Sequence, residues 1–276
     1  MSGFLHTVAA IEENVRLARD TYRVRLRAPE MAAAFRPGQF LMLRLPHGSD
    51  PLLGRPFALY DTVLEAGQPV GLDIVYLVVG KFTGLLKHLG PGDRLSVWGP
   101  LGNGFPEYDP GILAHVVLVA GGIGQTPFLA HIRQLLGTRG YAGQKPRRQA
   151  ERVSLFYGVR TADLAAGVED FRAAGAEVHL ASNDGSLGYR GFVTELLAQQ
   201  ARPSLVVGCG PEPMLHALAE LSQRWGVRCH VSLETPMACG AGVCFSCVTR
   251  VKTAGGWDYR RVCVDGPIFD AAELVW

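Results

Sequence analysis

His115-Val-Val-Leu-Val-Ala-Gly-Gly-Ile-Gly-Gln-Thr-Pro127 decides how the middle of this chain is read. The run His115–Ala120 is apolar with no polar alternation, as in a strand buried on both faces of a parallel sheet. It enters a turn with Gly121, Gly122 and Gly124. Thr126 is placed to cap a helix, with Pro127 at its first position. Downstream, apolar runs at Val153–Tyr157, Val178–Ala181, Leu205–Gly208 and Cys229–Leu233 alternate with helical patterns at Asp163–Ala174, Val193–Gln200 and Glu212–Trp225. Strand and helix in alternation predict an α/β doubly wound parallel sheet with helices on both faces.

Two turns in this region carry chemistry. Glycines between a strand and a helix let backbone N–H groups approach a pyrophosphate, which the helix N-terminus stabilises. The spacing at Gly121–Gly124 is not G-x-G-x-x-G, so a plain tight turn competes with that reading. A second strand-to-helix turn, Val206-Val-Gly-Cys-Gly-Pro-Glu-Pro-Met214, brings Cys209, Gly210, Pro211 and Met214 into the same setting. Both turns fall at carboxyl ends of strands, where open α/β sheets bind ligands. Cys209 is read either as packing beside a nicotinamide or as a small buried residue. Arg160 either meets a 2′-phosphate or is a surface residue. The connection Thr138–Arg152 is long and basic. It reads as a solvated loop rather than a nucleic-acid surface, which needs stacking aromatics among its cations.

Towards the N-terminus the pattern changes near Pro110. Thr21–Arg27 alternates apolar and polar residues as a half-buried strand does. Phe40–Leu45, Gly71–Val79 and Arg94–Trp98 are further strand candidates, separated by turn signals at Arg36-Pro-Gly38, Gly67-Gln-Pro69 and Pro91-Gly-Asp93. Short strands so punctuated predict a small antiparallel β-barrel. Lys81–Leu89 reads as one short helix, with Thr83 near its start. Arg55-Pro-Phe-Ala58 offers a planar cationic fork for phosphate, stiffened by proline. Gly99-Pro-Leu-Gly-Asn-Gly-Phe105 reads as a loop closing the barrel.

Towards the C-terminus, Cys239, Cys244 and Cys247 are spaced C-x4-C-x2-C, and Cys263 follows. This is the plant-type spacing for a 2Fe–2S cluster. Structural zinc also takes four cysteines, but usually as two separate C-x2–4-C knuckles. Ala254-Gly-Gly-Trp257 reads as a hairpin turn that returns Cys263 towards Cys247. Residues 1–108, 109–233 and 234–276 are therefore expected to form a barrel domain, an α/β domain and a small β-rich cluster domain.

Composition allows this plan. The chain has 276 residues, 48% of them hydrophobic, enough for two domains or somewhat more. A net charge of +2 favours no particular class of partner. No apolar run reaches membrane-spanning length, and no signal peptide is evident. With four of the six cysteines gathered between residues 239 and 263, no disulfide framework is read, and a cytoplasmic location is expected. The histidines show no ligand spacing.

Taken in order, these motifs resemble the ferredoxin–NADP reductase superfamily. Within it they resemble the electron-transfer subunits of class 1B dihydroorotate dehydrogenases. The likeness is sharpest in Leu233-Glu-Thr-Pro-Met-Ala-Cys-Gly-Ala-Gly-Val-Cys244, Arg260–Phe269 and Gly99–Phe105. It implies FAD in the barrel, NAD in the α/β domain and a 2Fe–2S cluster on Cys239, Cys244, Cys247 and Cys263. It places Arg55, Pro56, Phe57, Ala58, Val75, Tyr76, Leu77, Gly80, Phe82 and Thr83 around the flavin. For NAD it implies Gly121, Gly122, Gly124, Thr126, Pro127, Cys209, Gly210, Pro211 and Met214. The chain departs from the family in three places. Ala58 stands where a Ser or Thr usually bonds flavin N5, Leu77 where an arginine is usual, and Phe82 where Gly precedes Thr.

The function so implied is a relay in pyrimidine biosynthesis. A partner subunit with FMN, two copies of each chain, oxidises dihydroorotate, and the electrons pass through cluster and FAD to NAD+. This chain shows no site of its own for oxidising an organic substrate. Alternatives are the FAD/2Fe–2S subunit of an NADH-dependent ferredoxin:NADP oxidoreductase, sulfide dehydrogenase or hydrogenase, or a non-enzymatic iron–sulfur redox sensor. No nucleic acid and no membrane span are expected.

Overall fold

The computed structural model describes residues 5–108 and 113–276; Pro110 and the expected start of the second domain at residue 109 lie outside the described residues. Seven antiparallel strands form the first sheet: β1 (Leu5–Ala18), β2 (Thr21–Arg27), β3 (Phe40–Arg44), β4 (Arg55–Ala58), β5 (Asp61–Glu65), β6 (Gln68–Leu77) and β7 (Arg94–Leu101). Their order is β4-β3-β7-β1-β2-β6-β5. The two edge strands β4 and β5 are joined by Leu59 and Tyr60 alone. Three peptide steps reach roughly 11 Å, so the sheet has to curl until its edges meet. Val24, Leu26, Leu41, Leu43, Ile74 and Val97 fill the interior.

Strand β1 was not anticipated, because Glu12, Glu13, Asn14 and Arg16 interrupt its alternation. Glu12 pairs with Arg27 at 2.9 Å and Glu13 with Arg23 at 2.9 Å, across to β2. Asn14 donates to the carbonyls of Leu86 and Leu89 at 2.9 Å. Helix α1 (Pro29–Ala34) is also additional, and α2 (Lys81–Leu86) stops short of the expected Leu89.

The second sheet takes β8 (Leu113–Gly121), β9 (Ala150–Val159), β10 (Glu177–Ser182), β11 (Tyr189–Arg190), β12 (Leu205–Cys209) and β13 (Cys229–Ser232). After the hairpin β14 (Val248–Thr253) and β15 (Gly256–Arg261) the chain adds β16 (Ile268–Asp270) at its edge. The order is β11-β10-β9-β8-β12-β13-β16, parallel except for β16. Successive strands leave β8 in one direction and resume on its other side at β12. The switch point therefore lies between β8 and β12, under both glycine turns. Helices α3 (Phe128–Leu135), α4 (Val168–Ala173), α5 (Val193–Ala198) and α6 (Glu212–Trp225) cover the sheet. Thr126 does not cap α3: Gly122–Gln125 form a 3-10 turn, and the α-helix begins only after Pro127. Among the described residues no helix is long and apolar enough to cross a membrane.

The parts are joined by specific bonds. Asp61, 3% exposed, receives Arg133, Arg139 at 2.7 Å and the Tyr141 hydroxyl at 2.8 Å. The basic connection is thus no free solvated loop: Arg139 and Tyr141 turn inward to the first sheet. Arg148 donates to the carbonyls of Ala150 and Glu151, and Arg147 reaches Glu107 at 3.8 Å. Gly99–Phe105 does more than close the barrel. Asn103 accepts from Ile268 N at 3.1 Å and donates Nδ2 to the carbonyls of Ile268 and Asp265. Phe105 stacks on His131 of α3 at 3.9 Å. Cys247, Val251, Val262 and Leu274 share one core with Met42 of the first sheet and Val231 of the second, so the C-terminal segment packs against both.

Burial pushes the His131 imidazole from 6.5 down to about 3. The unfolded chain therefore takes a proton on His131 over a pH range where the folded chain does not. Stability should fall as pH drops between those values, by up to about 1.4 kcal/mol per pH unit from this group. In His131→Asn, urea unfolding at a series of pH values should show a shallower acid limb even if stability at neutral pH is lower. An unchanged slope would mean another group dominates.

Candidate functional site

A cavity of about 590 Å³ opens where the first sheet meets the second. Arg55, Pro56, Phe57 and Ala58 of β4 form one wall, and Val75, Tyr76 and Leu77 of β6 another. Gly80, Phe82 and Thr83 close it from the start of α2. Thr83 Oγ1 accepts the N–H groups of Val79 and Gly80 at 3.0 and 3.2 Å and so fixes that turn. Phe82 packs on Phe57 with centroids 5.9 Å apart. Arg55 donates to the carbonyls of Leu53 and Gly54, and Lys81, also in the wall, pairs with Asp50. The Tyr76 phenol stays neutral, pushed up to about 12 chiefly by burial.

The two glycine turns meet behind this cavity. Thr126 and Cys209 reach into its lining. The remaining residues expected there (Gly121, Gly122, Gly124, Pro127, Gly210, Pro211 and Met214) do not line it. Several of them form the adjoining crevice: a Cβ on Gly121 would lie 2.7 Å from Pro211 Cδ and 2.8 Å from Met214 Sδ. On Gly124 a Cβ would fall 2.3 Å from the Cys209 carbonyl oxygen, so only glycine lets the two turns touch. Cys209 is buried, and burial drives its thiol well above the ordinary range; it is a neutral packing group. Gln125, fully buried in the first turn, has neither amide atom partnered. Arg160 is exposed at the end of β9.

Sequence reasoning missed one wall. Ser232 at the end of β13, and Glu234, Thr235 and Met237 between it and the first cysteine of the loop, line the same cavity. Thr235 Oγ1 is buried without a partner. Glu234 meets water in the cleft, yet the protein around it pushes its carboxyl above the usual range. The available signal was length: the few residues from Ser232 to Cys239 have to cross the carboxyl edge of the sheet. With aromatic walls, two cations and unpartnered polar atoms, the residues present fit a flavin and a nucleotide.

The cysteine loop lies on the far side of that wall. Cys247 and Cys263 are buried, Cys239 is half-buried and Cys244 exposed. Cys244 Sγ lies 3.2 Å from Ser246 Oγ. The Ala241 amide points at Cys239 Sγ at 3.3 Å. Two thiols for each of two irons is the donor set of a 2Fe–2S cluster, and the loop fits that group. Arg261 steadies it, donating to the Gly242 carbonyl at 3.0 Å and lying 5.1 Å over the Phe245 ring.

Residues 8–105 match the model of the oxidoreductase FAD-binding domain family. Residues 234–275 match that of the iron–sulfur cluster binding domain of dihydroorotate dehydrogenase B. The chain is 38% identical over 263 residues, 94% of each chain, to the dihydroorotate dehydrogenase B (NAD(+)) electron transfer subunit of Geobacillus thermodenitrificans. It is 32% identical over 269 residues, 96% of each, to the subunit of that name from Fusobacterium nucleatum. Among solved structures it is similar to an NADH-dependent reduced ferredoxin–NADP oxidoreductase, with a TM-score of 0.79 and 28% identity over 100% of this chain and 92% of the other.

Gly240 has φ +69, and a Cβ there would lie 2.8 Å from Met42 Cγ. Gly240→Ala should cost about 1–2 kcal/mol in backbone conformation alone, in addition to that clash. After anaerobic reconstitution it should hold less than half the iron of the parent. Gly255→Ala, in open space at the hairpin turn, should load normally. Equal iron in both variants would show that the loop tolerates displacement from the sheet.

Proposed function

The chain belongs to the family of electron-transfer subunits of dihydroorotate dehydrogenase B, and on that premise we propose that it joins a catalytic partner to NAD+ through FAD and a 2Fe–2S cluster. One observation carries the reading. The cavity walled by Arg55–Ala58 also takes Thr126 and Cys209 from the nucleotide turns, and its third wall runs straight into Cys239. The cavity thus adjoins both glycine turns, and one of its walls leads directly to the cysteine loop. When bound, NAD exchanges a hydride, the cluster single electrons and the flavin either, which assigns the middle place to the flavin.

This chain's residues have distinct tasks in that reading. Arg55 and Lys81 supply positive charge for the flavin phosphates. Phe57, Tyr76 and Phe82 enclose the ring system and exclude water. Gly121, Gly122 and Gly124 admit the nucleotide pyrophosphate to backbone N–H groups, opposite Gly210, Pro211 and Met214. Cys239, Cys244, Cys247 and Cys263 hold the iron. Ala58 and Leu77 provide neither hydroxyl nor charge, so at these two positions the wall acts by shape.

The partner we propose is an FMN-containing subunit that oxidises dihydroorotate to orotate, two copies of each chain assembling in the cytoplasm. Its docking surface is the loop Ala241–Ser246, where Val243 is 80% and Phe245 62% exposed.

Dihydroorotate-dependent NAD+ reduction by the reconstituted pair, with a visible iron–sulfur spectrum, tests the function. Cys244→Ser should lose the cluster, while Cys229→Ser, in a buried strand, should keep the parent's iron content. Stoichiometric zinc in anaerobically purified protein, without iron or sulfide, would overturn the reading. Phe245→Asp places a charge in a contact that has to be desolvated. It should weaken assembly and lower coupled turnover by tenfold or more, about 1.4 kcal/mol, with NADH-driven dye reduction retained. Undiminished association in gel filtration would remove this loop from the interface.

A further inference from the structure

We infer that Trp98 is a positioning residue for electron exchange between flavin and cluster: its indole N–H holds the carbonyl of Cys239 and so fixes the cysteine loop on the sheet that walls the flavin cavity. The inference rests on the assignment of both groups above.

Trp98 lies on β7, opposite His6 of β1 and Met42 of β3. Its Nε1 donates to the Cys239 carbonyl at 3.1 Å. Among the described residues this is the side-chain hydrogen bond that joins the loop Cys239–Cys247 to the first sheet. The other bonds to the loop come from Ala238, Arg261, Val262 and the loop itself, all within the C-terminal segment. They preserve its shape without setting its place relative to the cavity.

The indole has little freedom. The His6 ring meets it edge-on at 6.3 Å and is itself bonded to Ser96 Oγ at 2.9 Å. Its outer rim lies over Gly54, where a Cβ would come within 2.4 Å of Cη2. A ring held on both sides presents its N–H at a fixed point. Next along the loop, Gly240 allows the backbone to sit directly on Met42. Met42 pairs with Pro56, and Gly54 precedes Arg55, so the strands that seat Trp98 and the loop are those that wall the cavity. A partner that orients a ligand residue tunes the metal it holds. A site is only as accurate as the shell supporting it.

The test uses the full chain loaded with FAD and iron, mixed anaerobically with NADH in a stopped-flow instrument. NADH delivers a hydride to the flavin; one electron then leaves the reduced flavin and enters the oxidised cluster. Trp98→Phe should leave flavin reduction by NADH at the parent rate. The later bleaching of the cluster should slow several-fold, as expected when the shell that seats a ligand loop is removed. The EPR line shape of the reduced cluster should also change. Incorporation of 3-benzothienylalanine at position 98, which keeps the ring shape and lacks the N–H, should reproduce both effects, including where Trp98→Phe loses iron. If the benzothienyl variant transfers at the parent rate with the parent EPR signal, the hydrogen bond does not position the cluster and the inference falls. Absence of iron or flavin from the parent protein would instead overturn the cofactor assignment on which it rests.

Discussion

Asp61 carries its carboxylate almost entirely out of water, and the relation between the two sheets depends on how that charge is met. An unpaired buried carboxylate would cost several kcal/mol. Here the Arg133 and Arg139 guanidinium groups and the Tyr141 hydroxyl converge on it, all three from the α/β part of the chain. The neighbouring Tyr60 repeats the link: its carbonyl accepts from Ala130, and its hydroxyl donates to Asp170 at 2.7 Å. A joint made of charges and directional bonds has one register. That suits a protein whose cavity is assembled from both sides of the joint.

The same demand for closeness appears wherever the parts touch. Gly124 lets the first glycine turn rest against the carbonyl of Cys209, and Gly240 lets the cysteine loop rest on Met42. In both places a methyl group would force the surfaces apart. Asn103 adds bonds from the first sheet to the segment that supplies β16. The C-terminal segment, with Cys247 and Cys263 inside a core it shares with both sheets, is less an appended module than the third side of one structure.

The departures from the family at Ala58, Leu77 and Phe82 read differently once the cavity is seen. Phe82 is buried against Phe57, so the bulk added at that position is spent on packing. Leu77 and Ala58 remain in the wall. The wall keeps its place and is more apolar there.

What the sequence by itself determined is local. Unbroken apolar runs specify buried strands because each residue reports its own environment; α6 was read to the residue from its periodicity, and the hairpin from its turn. Cysteine spacing gave the loop its chemistry for the same reason, since three ligands lie within one short segment. The tertiary structure alone decided what depends on partners far apart in the chain. Strand β1 is hidden in sequence because its polar residues are answered by Arg23, Arg25, Arg27, Tyr76 and the end of α2. Asp61 needs residues some seventy to eighty positions away. The wall at Ser232–Met237 has no motif of its own; it lines the cavity because β13 ends beside the switch point and Cys239 is tied to Trp98. Pattern in a chain records neighbours in sequence, whereas a site between sheets is made of neighbours in space.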